Sequence, residues 1–288
     1  YARNRFFLGL LVLGAICMGV IWLGDSQLPI GILKDAIHDV AANLLASVLI
    51  ILGFYILYIS LIGPNTGLTE VVATRPQDIR MRLESLHEGS RNYMFWGRSG
   101  SYFRSVPLLK LDEQARAKKL ITDIDVVLPD PTDERLVKSY REILTSLGEN
   151  PPGNPLLANV LATTMACAII GANNKYVRVR VYYSKFLPAF RVDMSESGAI
   201  LTQDDPAKSA LFFEGGTEFH EMFRTTIRNE MSLSTEVKWD AGLFVGRKLD
   251  EKSCDKETLS AFGIPVTDVD TLQNEVARLI TSRPHRYK

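Results

Sequence analysis

Two long apolar runs open the chain, and a mixed alternation of short apolar stretches follows them. Phe6 to Gly24 holds no charged residue, and Ala41 to Gly63 is a second such run after a brief connector. Nineteen residues at 1.5 Å rise come close to the roughly 30 Å hydrocarbon core of a bilayer. The first run is long for a signal-peptide core, and no small-x-small site closes it. The pattern predicts a two-helix transmembrane hairpin over residues 1–63. The second helix is expected to begin before its apolar run, near Ile32.

From Pro64 onward the composition is that of a globular protein, so residues 64–288 are read as one soluble domain. LTEVVA (68–73) reads as a short strand or a continuation of the helix, and Pro76 to His87 as a helix. Asn92 to Trp96 and ITDIDVVLP (121–129) read as strands. Tyr102 to Ile121 reads as largely helical despite Pro107, and Asp133 to Leu147 as a helix closed by ENPPGNP. Leu156 to Ile170 is apolar, but its length and flanking loops predict a core helix and not a third span. VRVRVYYS (177–184) alternates arginine with apolar residues, as a strand with one wet face does. FRVDMSES and GAILTQ pair around Ser197 and Gly198 as a hairpin. Thr217 to Met231, Lys256 to Ala261 and Val269 to Thr281 read as helices. Alternating strands and helices define an α/β class with a mixed sheet.

Charge sharpens the membrane reading. Arg3 and Arg5 precede the first run, Arg75, Arg80 and Arg82 follow the second, and the connector holds only Lys34. The positive-inside rule then places both termini in the cytoplasm. Asp35, Asp39, Asn43 and Ser47 recur every four residues, so they share one helix face. That stripe has two readings, contact within the hairpin and with headgroups, or self-association of several copies around a polar lining. Over the whole chain 33 basic and 33 acidic residues balance, so charge argues neither for nor against nucleic acid. The three cysteines, Cys17, Cys167 and Cys254, are far apart and lack metal spacing. The chain begins at Tyr1 and not at Met, so a trimmed start is expected.

Chemistry concentrates in FWGRSGSYFR (95–104), a strand feeding a glycine-containing turn at a helix start. Such a turn can present backbone N–H groups to an anion. Arg98, Ser99, Ser101 and Arg104 would add charge and hydroxyls, and Arg191 is a further candidate from the hairpin. The plain alternatives are a tight turn with an N-cap serine, and pairing of Arg191 and Asp193 with their sheet neighbours. The run is neither a P-loop nor a dinucleotide fingerprint. EFHEMF is not H-E-x-x-H, and His220 reads as a helix-face histidine. Asp123, Asp125 and Asp130 read as solvated positions and a turn residue, so no metal is expected.

YMFWGRSGSYFR, then DIDVVLPDP, VRVYYS and FRVDMSESGAILTQDDP, together resemble the phospholipase D-like fold over residues 68–245. Active members of that family carry H-x-K on the first strand of the hairpin, the histidine as nucleophile and the lysine as phosphate ligand. This chain has Phe190, Arg191, Val192 and Asp193 there, and no H-x-K anywhere. The resemblance therefore implies a catalytically degenerate domain with no catalytic residue and no cofactor. A membrane hairpin on such a domain is similar to two-span effectors of bacterial anti-phage systems, including those linked to retrons. That resemblance implies an inner-membrane toxin held inactive by a partner, such as a reverse transcriptase–nucleic-acid complex or another defence protein, and acting on the lipid bilayer, with homo-oligomerisation possible. Two alternatives stay open: a membrane-anchored phosphodiesterase, and a non-enzymatic adaptor using the VRVRV strand on nucleic acid.

Overall fold

In the computed structural model, β2 to β4 (Asn92–Trp96, Thr122–Pro129 and Val177–Ser184) run parallel at the heart of an eight-stranded sheet. The structure describes residues 12–23, 32–62, 71–203, 205, 207–264 and 269–282. β5 (Arg191–Ser195), β6 (Gly198–Thr202), β7 (Ala210–Glu214) and β1 (Val71–Thr74) extend the sheet antiparallel from β2. The two-residue β8 (Thr235–Glu236) pairs with β4. The order is β1-β7-β6-β5-β2-β3-β4-β8, so the mixed α/β sheet read from the sequence is present.

The chain separates into two units, Tyr1–Thr66 and Gly67–Lys288. In the first, helix α1 (Val12–Leu23) and α2 (Ile32–Ile62) pack through Cys17, Ala41 and Val48. Leu45 and Val48 stand 4.0 and 3.6 Å from where a side chain on Gly14 would begin. The outer faces are apolar too: Ile16, Met18, Trp22, Val40, Leu49, Ile50 and Phe54 are exposed. Asp39, Asn43 and Ser47 also face outward, and the Ser47 hydroxyl donates to Asn43 O at 2.9 Å. The stripe therefore does not serve contact within the helix pair at these three positions. The side chain of Asp35 lies outside the described residues, as do 1–11 and 24–31 of the expected hairpin.

In the second unit, helices cover both faces of the sheet. One face packs α3 (Pro76–His87), α5 (Pro107–Lys118), α7 (Pro155–Asn173) and α10 (Val269–Thr281) over Tyr93, Phe95, Ile124, Val126 and Leu128. The other packs α8 (Glu218–Leu233) over Met94, Val127, Val192, Met194 and Phe213. The two sets alternate along β2, as pleating requires. Among helices whose side chains are described throughout, α7 alone is long and apolar enough to cross a membrane, and it is buried in this core; the corresponding apolar stretches of the first unit, Val12–Leu23 and Asp39–Phe54, are shorter. Asp133 caps α6 (Glu134–Ser146) by accepting from Arg135 N–H.

The helix expected over 102–121 is two helices, α4 (Ser101–Ser105) and α5, broken at Val106. Pro107 has no N–H for a continuous helix and instead starts the second one. Strand β7 was not expected. Its ALFFE run lacks strict alternation because Phe212 and Phe213 are buried on opposite faces.

Candidate functional site

The turn after β2 sits where the three parallel strands end. Gly97 N–H donates to Val127 O at 3.2 Å, so the chain leaves β2 still tied to β3. A Cβ at Gly97 would lie 2.6 Å from the Phe95 ring and 3.2 Å from Arg191 Cγ. Gly100 has φ +66°, in the left-handed region, and its missing Cβ would meet Thr163 of α7 at 2.5 Å. Thr163 Oγ1 donates to Ser99 O at 2.8 Å and anchors the turn to the core helix. Gly100→Ala is thus opposed by both backbone and space, and is expected to cost about 2 kcal/mol of unfolding free energy in urea titration of the full chain. Gly100→Asn tolerates the backbone but not the contact, and should not restore wild-type stability.

Phe95, Arg98, Ser99, Gly100, Ser101, Tyr102, Arg191 and Gln203 line one cleft. Four of the five expected anion-site residues therefore meet. The fifth does not: Arg104 is 2% exposed, its Nε donates to Leu279 O at 3.2 Å and its Nη1 to Thr163 Oγ1 at 3.1 Å. It turns away into α7 and α10 because it lies on the buried side of the five-residue α4. Gln203, just past β6, joins the cleft and was not expected, because only the pairing of β5 with β6 brings it beside Arg191.

Arg191 and Asp193 point to the same side of β5. The Arg191 Nε donates to Asp193 Oδ2 at 2.6 Å, and the guanidinium lies 4.8 Å over the Tyr102 ring. Asp193 is fully buried, and the Tyr93 hydroxyl donates to its other oxygen at 2.9 Å. Burial pushes the Tyr93 hydroxyl well above its ordinary value, and the Asp193 charge adds to this, so Tyr93 stays protonated. His87 Nε2 lies 3.4 Å from the same hydroxyl, whose proton is already given to Asp193. The result is a chain, His87–Tyr93–Asp193–Arg191–Tyr102, leading from the core to the cleft. The cleft holds only about 20 Å³, room for about one water.

The other candidates have structural roles. His220 is fully buried. Its Nε2 donates to Ser195 O at 2.8 Å and its Nδ1 accepts from Gly216 N–H at 3.3 Å, so it ties α8 to the β5 end. Asp125 is not solvated as expected. It is 6% exposed and accepts from Arg180 Nε and Nη2, at 2.7 and 3.0 Å. Burial nonetheless raises its carboxyl above the usual range, with Arg180 opposing. Asp130 Oδ1 accepts from the Thr132 N–H and hydroxyl, which is turn chemistry. Cys17, Cys167 and Cys254 are buried free thiols.

No family model and no curated protein matches the sequence. Among solved structures, the chain is similar to Nuc, a phospholipase D family member from Salmonella typhimurium. That match has 8% identity and a TM-score of 0.34, covering 58% of this chain and 96% of that one. It is also similar to TrmBL2, an archaeal DNA-binding chromatin protein, with 9% identity and a TM-score of 0.32, covering 71% and 68%. Likeness at that level establishes neither ancestry nor activity. What the fold and site define is a mixed α/β domain with an arginine-lined cleft closed by an internal ion pair.

Proposed function

We propose that the protein is a membrane-acting effector whose phospholipase D-like domain is not an enzyme. The observation that carries this reading is the Arg191–Asp193 pair. It occupies the two strand positions where the resemblance would put a nucleophilic histidine and a phosphate-binding lysine, and the two side chains bind each other. An arginine stays protonated, and the Asp193 carboxylate is fully buried, ion-paired and not among the residues that line the cleft, so neither supplies a nucleophile.

The first unit supports the membrane half of the proposal. Its helices expose apolar residues on the faces away from each other as well as burying them between. Exposed apolar faces of this extent need a cover, which lipid provides. The 31 residues of α2 extend about 46 Å, enough for the hydrocarbon core and part of a headgroup layer. Asp39, Asn43 and Ser47 face outward, where a second copy would meet them; association through that stripe would line a polar path. In this reading both termini are cytoplasmic, the membrane is a bacterial inner membrane, and a partner restrains the hairpin. The partner is a defence-system protein, such as a retron's reverse transcriptase–nucleic-acid complex.

Controlled expression of the full chain in bacteria, followed with a potential-sensitive dye, tests this. Depolarisation before loss of viability is expected, and none when residues 1–63 are deleted. Equal toxicity of the truncated chain would sink the membrane mechanism. Hydrolysis of bis(p-nitrophenyl) phosphate by the purified chain, lost in Arg98→Ala, would replace the proposal with the enzyme reading.

A further inference from the structure

The face of the sheet opposite the cleft carries a second cavity, of about 330 Å³, beneath α8. That volume lies at the lower end of the range for small-ligand pockets. Its floor is apolar: Met94 of β2 faces Met194 of β5 in register, and Met231 of α8 adds a third methionine. Its polar lining holds three arginines, Arg180 from β4 and Arg224 and Arg228 from α8, and two acids, Asp125 and Glu196.

The two lining acids, and Glu221 outside the lining, are already engaged. Asp125 gives both oxygens to Arg180. Glu196 Oε1 accepts from the Arg91 and Asn92 N–H groups and the Asn92 amide, and its Oε2 from the Ser90 hydroxyl. Glu221 reaches Arg224 from the exposed side at 3.2 Å. Arg224 and Arg228 stand one turn apart on a single helix, an arrangement that like charges destabilise. An anion seated between them reverses that repulsion. Beneath it, methionines accept a flat apolar group of varied outline, and guanidinium planes stack on one.

We propose that this cavity is a binding site for a small aromatic phosphate, with the phosphoryl group held by Arg224 and Arg228 and the ring laid on Met94, Met194 and Met231. The site is separate from the Arg98–Arg191 cleft and does not rest on the membrane reading.

The test is calorimetric titration of the full chain in detergent micelles with naphthyl phosphate, against a blank of micelles alone. Binding above the blank is expected, at least about tenfold tighter than inorganic phosphate or naphthol. The double variant Arg224→Ala, Arg228→Ala should weaken it by about tenfold or more, since both positions lie on the accessible side of α8 and their loss leaves the core intact. Arg98→Ala should leave it unchanged. Heat equal to the blank overturns the proposal, as does wild-type affinity in the double variant. Loss of binding in Arg98→Ala alone also overturns it, because the ligand would then sit in the other cleft.

Discussion

Asp193→Ala is expected to lose about 3–5 kcal/mol of unfolding free energy. The carboxylate is fully buried and has two partners, the Arg191 Nε at 2.6 Å and the Tyr93 hydroxyl at 2.9 Å. Truncation leaves a guanidinium whose side chain is 11% exposed without its counter-charge, and a buried hydroxyl without its acceptor. Removing one member of a buried pair costs more than the pair contributes, because the remaining charge keeps its desolvation penalty. Asp193→Asn keeps an acceptor for Tyr93 and the side-chain shape but not the charge, and should cost about 1–3 kcal/mol. Urea unfolding of the full chain in mild detergent, followed by tryptophan fluorescence, ranks the three. An Ala variant with the wild-type midpoint would mean that Asp193 does not lock the cleft.

That lock was half visible in the sequence. Phe190 to Asp193 marks the departure from H-x-K, and R-x-D on one strand puts both side chains on one face. Tyr93 and His87 were not legible as its continuation. Tyr93 stands 100 positions from Asp193, and only the pairing of β2 with β5 joins them. Local runs with one clear period were read well. Pro76–His87 has a proline to start it, and Val177–Val181 alternates arginine with valine before the wholly buried Tyr182–Ser184. Arg104 shows the opposite limit. On a helix of five residues the sequence does not say which side is covered, and here α7 and α10 cover it. The α8 cavity had a signal, the i,i+4 arginines with a methionine three further on, but the helix pattern alone does not show what lies beneath.

The acid limb of stability should belong largely to His87. Its imidazole is 2% exposed, and its pKa is lowered from 6.5 to about 4. Burial is the main cause; the charges of Asp193 and Glu84 oppose it, and Arg191 and Lys110 reinforce it. The sign follows from proton counts. Between the two values the unfolded chain binds a proton that the folded chain does not, so stability falls as pH falls. The contribution is fully present above pH 6.5, is lost through that window, and amounts to about 3 kcal/mol by pH 4. Asp125 works the other way, since its raised carboxyl favours the protonated fold, so absolute curves mix the two. The difference between wild type and His87→Gln at each pH isolates the imidazole. Wild type should lose ground to the variant steadily below pH 6.5. Parallel curves would mean that the imidazole takes its proton in place. Loss confined to wild type would assign this part of the acid limb to the buried His87 imidazole, which binds its proton on unfolding.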